Sequence, residues 1–337
     1  MNVLVTGGCG YIGSHIILKL LENNNKVFVI DNLSNSSPKS LDRIYDLTKK
    51  KISFIKGDIR SRKDLELIFQ NNHIDIVIHL AGLKSIKESI AHPKKYYDNN
   101  VNGTKNLIEC MKKFQVFKLV FSSSATVYGY PKKLPIKEID SEIKPLNPYG
   151  ETKSIIEKIL KDTYEGNDNW SIINLRYFNP IGAHASGAIG EHPIGLPNNL
   201  MPMLLDVAIR KKEFLNVFGD NYKTRDGTGI RDYIHIDDLA SGHLAASKKI
   251  ISHTGFWNIN LGTGKGYSVL EIIKSFEKAT SIKIPYKIEK KRPGDIESIY
   301  ADPSYAKEIL DWEARKSLDE MCKDSWNWKI NNPEGYS

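Results

Sequence analysis

The sequence predicts an α/β protein: a doubly wound parallel sheet followed by a smaller C-terminal α/β domain. Three observations carry that prediction. Short apolar runs alternate with helix-period runs through the first half, a glycine-rich turn separates the first such pair, and the pattern loosens after Asn179. Strands that are apolar throughout, with helices between them, belong to a sheet covered on both faces.

Val3-Leu4-Val5 is the first apolar run and leads into Gly7, after which Ile12 to Leu21 has helical period. Val27 to Ile30, Ile52 to Ile55 and Ile76 to Leu80 read as strands two to four. Lys95 to Phe114 reads as one long helix, Leu119 to Phe121 as strand five, Gly150 to Tyr164 as a helix and Trp170 to Arg176 as strand six. Residues 181–199, dense in Gly, Pro and His, have loop composition. Beyond them Leu200 to Lys211 looks helical, Leu215 to Phe218 strand-like and Ile234 to Lys249 helical. Trp257 to Leu261 reads as a strand and Val269 to Ala279 as a helix. The expected domains are 1–180 and 181–337, with segments near 234–261 returning to the first and a ligand cleft at the strand C-termini.

Composition excludes several classes. A chain of 337 residues, 40% hydrophobic and 26% charged, has a globular balance, and no run is apolar enough to span a bilayer. Met1 to Gly7 passes straight from strand to glycines without a basic start, so no signal peptide is expected. Cys9, Cys110 and Cys322 are too scattered for a disulfide framework or a metal pair, which points to a reduced, cytoplasmic protein without a metal. The net charge of +8 raises nucleic acid as a partner, but lysines interleave with acids, as from Glu151 to Lys158. That is a solvated face; neither nucleic acid nor membrane is expected, and a modest positive field equally suits a nucleotide diphosphate.

Gly7-Gly8-Cys9-Gly10-Tyr11-Ile12-Gly13 follows strand one and opens the first helix, satisfying Gly-x-Gly-x-x-Gly from Gly8. Such glycines allow a tight turn and close approach of a pyrophosphate to the helix N-terminus. Asp31 ends the second strand 18 residues after Gly13, and no Arg or Lys stands at Asn32-Leu33-Ser34. A carboxylate there accepts from both ribose hydroxyls and repels a 2′-phosphate, so NAD is favoured over NADP. Asp58-Ile59 after strand three reads either as an adenine contact or as a helix N-cap. In Leu80-Ala81-Gly82-Leu83-Lys84, Gly82 lets the backbone come close and Lys84 can reach a phosphate.

Two further features converge on the same strand ends. Ser122 to Thr126 follows strand five, and Tyr149-Gly150-Glu151-Thr152-Lys153 opens a helix introduced by Asn147-Pro148. Tyr149 and Lys153 stand four apart on one helical face. A phenol of pKa about 10 is a poor base at neutral pH. A neighbouring ammonium and a positive nicotinamide ring are expected to favour its phenolate, with Ser124 sharing the substrate's proton. Alone, such a Tyr/Lys pair is a common surface feature; beside a serine-ended strand and a dinucleotide turn it reads as a catalytic centre.

At this point the chain resembles the UDP-galactose 4-epimerases of the extended short-chain dehydrogenase/reductase family. The resemblance runs from Val3 to Trp328 and includes Tyr96 to Thr104, Ser122 to Gly129, Leu175 to Pro180, Pro197 to Pro202, Asp226 to His235 and Arg292 to Asp295. It implies an NAD-dependent isomerase with a Rossmann domain and a UDP-sugar domain. The implied reaction is reversible C4 epimerisation of UDP-glucose and UDP-galactose by transient hydride transfer to tightly bound NAD, through a 4-keto sugar.

By matching motif positions, the resemblance implies cofactor contacts at Gly7, Gly10, Tyr11, Ile12, Gly13, Asp31, Asn32, Asp58, Ile59, Leu80, Ala81, Gly82, Lys84, Asn99, Ser124, Tyr149, Lys153, Tyr177 and Phe178. It implies UDP-sugar contacts at Ser124, Tyr149, Asn179, Asn199, Leu200, Asn216, Phe218, Arg231, Arg292, Asp295 and Ile299, with Tyr149, Lys153 and Ser124 catalytic. Arg231 and Arg292 suit diphosphate oxygens, a surface ion pair being the blander alternative. Ile299 would stand beside the sugar's C2 substituent, where family members restricted to glucose and galactose carry tyrosine. That leaves turnover of UDP-N-acetylglucosamine and UDP-N-acetylgalactosamine open, with neighbouring Tyr300 able to intrude.

Helices near 95–114 and 150–164 carry Val101, Leu107, Ile108, Met111, Ile155, Ile156, Ile159 and Leu160 on more than one face; one stripe must cover the sheet, and the family's dimers imply that the remainder forms an intersubunit four-helix bundle in a homodimer. Sugar-nucleotide 4,6-dehydratases share the fold but place an Asp-Glu pair after strand five, where this chain has Ala125-Thr126. Catalytically silent relatives usually lose the Tyr or the Lys, and both are kept here.

Overall fold

A computed structural model describes every residue except Asp140, Leu196, Asn198, Pro293 and Ser337. Asn198 and Pro293, which belong to two of the motifs above, therefore lie outside the described residues. The apolar runs become β1 (Asn2–Thr6), β2 (Lys26–Asp31), β3 (Ser53–Lys56), β4 (Ile76–His79), β5 (Lys118–Ser124) and β6 (Ser171–Tyr177). Then follow β7 (Asn179–Ile181), β8 (Leu215–Phe218), β9 (Ile230–His235), β10 (Gly255–Leu261), β11 (Gly266–Ser268), β12 (Tyr286–Glu289) and β13 (Ser298–Ile299).

Seven strands form one parallel sheet in the order β3-β2-β1-β4-β5-β6-β10. The order reverses between β1 and β4, and in such sheets the crevice at the strand C-termini lies there. Helices cover both faces. Ile16, Ile17 and Leu20 of Tyr11–Glu22 join Leu239 and Ala240 of Ile236–Ser252 on one side. Leu65, Ile68, Leu107, Met111, Ile156 and Leu160 cover the other. Sheet burial on both faces is why β1, β2 and β4 are apolar runs rather than alternating ones.

A smaller sheet, β11-β9-β13 with β7 beside β9, and the parallel pair β8-β12 lie after β6 in the chain. Their core is Met201, Leu204, Val217, Ile272, Phe276 and Met321. β10 belongs instead to the large sheet, pairing with β6 from Gly255↔Ser171 to Leu261↔Tyr177.

Several elements differ from the sequence expectation. The expected helix of Lys95 to Phe114 is broken: Pro93–Tyr96 and Gly103–Lys113 are α-helical, and Tyr97–Asn102 between them is a π-helix. The wider turn leaves both Asn99 and Asn100 buried, a geometry frequent at functional sites. The expected helix from Ile234 begins at Ile236, because Ile234 and His235 finish β9. The His235 ring caps that helix, accepting from the Asp237 N–H at 3.0 Å. The helices Lys39–Thr48, Ile86–Ala91, Ser304–Leu310 and Leu318–Asn331 lie where the sequence pattern points to none.

Candidate active site

The glycine turn is built for close approach. Gly7 sits at φ +70°, and a Cβ there would come within 2.8 Å of the Ala81 nitrogen. A Cβ on Gly13 would meet the Gly7 carbonyl at 2.5 Å, so helix and strand pack only if both positions are glycine. Gly10 is different: an added Cβ would meet only the Gly7 oxygen, at 3.4 Å. Gly10 is the N-cap of Tyr11–Glu22, supplies no side-chain cap, and no acid stands in the first turn. Such a helix end suits an anion.

Asp31, buried at the end of β2, accepts from the N–H groups of Cys9 (3.0 Å) and Leu33 (2.8 Å) and the hydroxyl of Ser36 (2.8 Å). A carboxylate so held beside the glycine turn keeps further lone pairs for sugar hydroxyls. Asn32 donates to Asp58 at 3.0 Å. Arg60 hydrogen-bonds the Asp58 carboxyl and holds it well below the usual carboxylate range. Asp58 is not the cap of the following helix; Ser61 is, accepting from the Asp64 N–H. The Ile59 side chain is buried against Gly103.

Other candidates around the turn are tied to protein groups. The Leu80 and Ala81 N–H groups donate to Thr6 Oγ1, each at 3.2 Å. Tyr11 donates its hydroxyl to the Gly182 carbonyl at 2.7 Å. Lys84 is exposed and lies 3.5 Å from the Glu191 carboxylate. Asn99 donates to Asn100 at 3.0 Å. Asn100, which the sequence reading did not single out, accepts from the Leu83 N–H and donates to the Leu83 carbonyl, fixing the Gly82 segment from both sides.

The end of β5 meets the start of helix Pro148–Glu165. Asn147 caps that helix, accepting from the Gly150 N–H at 2.9 Å, which sets Tyr149 in the first turn. Ser124 accepts from the N–H and hydroxyl of Thr126, at 3.2 and 2.9 Å. Lys153 is buried, donates to the Ser122 carbonyl at 2.6 Å, and lies 5.9 Å from the Tyr149 ring centre. Behind it the Tyr177 hydroxyl bonds the His243 ring.

Burial pushes the Tyr149 phenol up, with the Ser124 hydroxyl opposing. Burial pulls the Lys153 ammonium down to about 8, with Glu157 opposing. Loss of water around the phenolate dominates at Tyr149, and the Lys153 ammonium is directed at the Ser122 carbonyl. His79 beneath is driven down to about 3, first by burial and then by Lys153.

The remaining candidates gather on the smaller sheets. Arg231 on β9 pairs with Asp295 at 2.5 Å and donates to the Ile230 carbonyl. Ile299 on β13 is opposite Arg231 in register. Arg292 lays its guanidinium 3.9 Å from the Phe218 ring centre, and Asn216 is exposed two residues earlier on β8. Asn179 is exposed on β7, beside Tyr233 of β9. Asn199 is the N-cap position of Leu200–Ala208 and reaches Glu191 at 3.5 Å, so Glu191 links it to Lys84. Leu200 is half-buried against the core of the smaller sheets. Ile299 is buried with Phe178, Ala125, Val127 and Tyr128, while the Tyr300 ring lies against Gly266.

Known proteins resemble this chain along its length. Residues 4–325 match the family described as GDP-mannose 4,6 dehydratase. The UDP-glucose 4-epimerase of Bacillus subtilis is 52% identical over 336 residues, covering 100% of this chain and 99% of that protein. The chain belongs to the UDP-glucose 4-epimerase family. A solved member from Bifidobacterium longum, in complex with NAD+ and UDP, is 48% identical with a TM-score of 0.95, covering 99% of this chain and 100% of that one. The UDP-Glc/GlcNAc 4-epimerase of Campylobacter jejuni is 32% identical with a TM-score of 0.85, covering 98% of this chain and 99% of that one.

Within this family the dehydratase description does not reach the end of β5. Ala125 is buried there, and Thr126 donates its hydroxyl to Ser124. Neither position offers the carboxyl acid and base that elimination of water requires.

Proposed function

We infer that this chain catalyses the reversible C4 epimerisation of UDP-glucose and UDP-galactose, with NAD as its cofactor. The observation that carries the reading is the meeting of Tyr149, Lys153 and the Ser124-ended strand beside an uncapped glycine turn, in a chain of this family. Gly7, Gly10 and Gly13 would receive the pyrophosphate and Asp31 the adenosine ribose. Bound NAD supplies the acceptor, and then the donor, of the C4 hydride.

The protein's own part is proton handling and orientation. Tyr149 Oη takes the proton of the 4-hydroxyl by way of Ser124 Oγ, and returns it when the 4-keto sugar has turned its other face. Lys153 keeps a positive charge beneath the phenolate, supplying part of the stabilisation that burial removes. Arg231 and Arg292 grip the diphosphate, and Asp295 holds Arg231 in place from the side. Asn179, Asn199, Leu200, Asn216 and Phe218 line the rest of the nucleotide's path.

Residues 1–180 with the 234–261 segments form the cofactor unit in this reading, and the rest forms the sugar-nucleotide unit. The same site takes UDP-N-acetylglucosamine and UDP-N-acetylgalactosamine, because buried Ile299 offers an acetamido methyl an apolar wall. The active form is a cytoplasmic homodimer. The test is direct: purified protein is denatured to read released NAD, and intact protein is incubated with UDP-galactose. Co-purifying NAD and formation of UDP-glucose are expected; protein that neither carries nor binds NAD, or leaves UDP-galactose unchanged, overturns the reading.

A further inference from the structure

Glu157 and Arg176 are ionised side chains buried inside the large domain, and the proton-transfer scheme above uses neither. Glu157 lies one helical turn beyond Lys153, on the same buried face of Pro148–Glu165. Arg176 lies in β6, a strand buried along its whole length. The two form a fork: Arg176 Nε donates to Glu157 Oε1 at 3.0 Å and Nη2 to Oε2 at 2.7 Å. Ser123 adds a third bond to Oε1 at 2.5 Å. Arg176 Nη1 reaches the Tyr128 hydroxyl at 2.9 Å, and Tyr128 in turn donates to Asn260 at 2.7 Å.

A bare ion pair at this depth is costly to desolvate, and a packed apolar pair would hold helix and sheet at least as well. Its location is informative. The three serines that end β5 each engage the catalytic helix or its partners: Ser122 through its carbonyl to Lys153, Ser123 to Glu157, and Ser124 beside Tyr149. The charged side chains therefore sit one layer behind the reacting groups.

We propose that Glu157, locked by Arg176 and Ser123, is a positioning residue: the counter-charge that keeps Lys153 protonated beneath Tyr149 and sets the alkaline limit of turnover. The groups facing Lys153 support this from each neighbouring element. On its own helix stand Tyr149 and Glu157; β4 offers His79, held neutral near pH 7; β5 offers the Ser122 carbonyl; β6 offers Tyr177, whose hydroxyl burial pushes up. Among these Glu157 is the one carboxylate, and it is paired with Arg176.

The sign follows. Burial pulls Lys153 down and Glu157 pushes it back. Loss of the carboxylate charge lets the ammonium lose its proton at lower pH, while loss of the Arg176 charge lets Glu157 act more fully. The proposal rests on Lys153 being the cation that Tyr149 needs. The experiment records kcat of the holoenzyme with saturating UDP-galactose between about pH 6 and 10. In Glu157→Gln the alkaline limb should move down by about one pH unit, and in Arg176→Gln up by about half a unit, with KM within about twofold in both.

The opposite directions are a signature that general loosening of the core does not produce, and either folded variant alone decides the sign. Where neither folds, Glu157→Asp and Arg176→Lys keep the charges and should restore folding with the wild-type limb; a limb displaced in these overturns the proposal. An unshifted limb in Glu157→Gln or Arg176→Gln, with Lys153→Met inactive, overturns the role of Glu157 alone. A fully active Lys153→Met overturns the reading of Lys153 on which it rests.

Discussion

Tyr149 and Lys153 respond oppositely to the same burial. It makes the phenol harder to deprotonate and the ammonium easier, pulling Lys153 down to about 8. The charged lysine is therefore present below that pH and lost above it, and turnover should decline as pH rises through about 8. Removing the hydroxyl in Tyr149→Phe should lower kcat by about 10²–10⁴-fold while circular dichroism shows an unchanged fold. Near-normal turnover in the folded variant would remove Tyr149 as the base. Ile299 tests the other end of the sugar. It is buried in an apolar cluster and, being β-branched, is stiff at χ1. Ile299→Tyr should therefore abolish turnover of UDP-N-acetylglucosamine and spare UDP-glucose; equal activity of both variants on the acetylated sugar would refute the gate.

At the scale of elements, the strands of the large sheet were legible because burial on both faces leaves unbroken apolar runs, as in Val27 to Ile30 and Ile76 to Ile78. The π-helix was not, since nothing in the periodicity of Tyr97–Asn102 encodes it. Its cause is tertiary: Asn100 reaches both backbone groups of Leu83 and the Thr152 hydroxyl. Lys39–Thr48 escaped for the opposite reason, because its buried side is only Ser40, Leu41 and Ile44. The β9 boundary was missed because Ile234 continues an apolar run that suits either state. Asn100→Ala should cost about 1–3 kcal/mol, the penalty of leaving buried backbone groups unpaired, read by denaturant titration. It should also weaken NAD retention, because the Gly82 segment loses its clamp. Unchanged stability would show that the π-helix is held by something other than Asn100.

At the scale of the molecule, the chemistry-bearing residues were legible one by one, but the supports behind them were not. Glu157, Arg176 and Glu191 read in sequence as ordinary charges, and only the folded chain brings them against Lys153, Ser123 and Lys84. On the two helices expected to meet a partner, one stripe of apolar residues covers the sheet, and the remainder is what a partner can meet. Leu107, Ile108, Met111, Ile156 and Leu160 are already covered within one chain, so they cannot be the residues that meet a partner. What remains on that side is half-buried Ile155 and Ile159, with exposed Ile86 and Ile90 on the short helix Ile86–Ala91, which packs against Pro148–Glu165. Single exposed apolar residues are ordinary, but a group of four on two adjoining helices suits an isologous helical interface. Sedimentation velocity at micromolar concentration should therefore show a dimer. Ile155→Glu with Ile159→Glu should give a monomer that retains NAD, because the glycine turn and Asp31 lie at the C-terminal ends of β1 and β2, away from those side chains. A wild-type monomer at that concentration, or a dimer undisturbed by the two glutamates, would place the interface elsewhere or remove it.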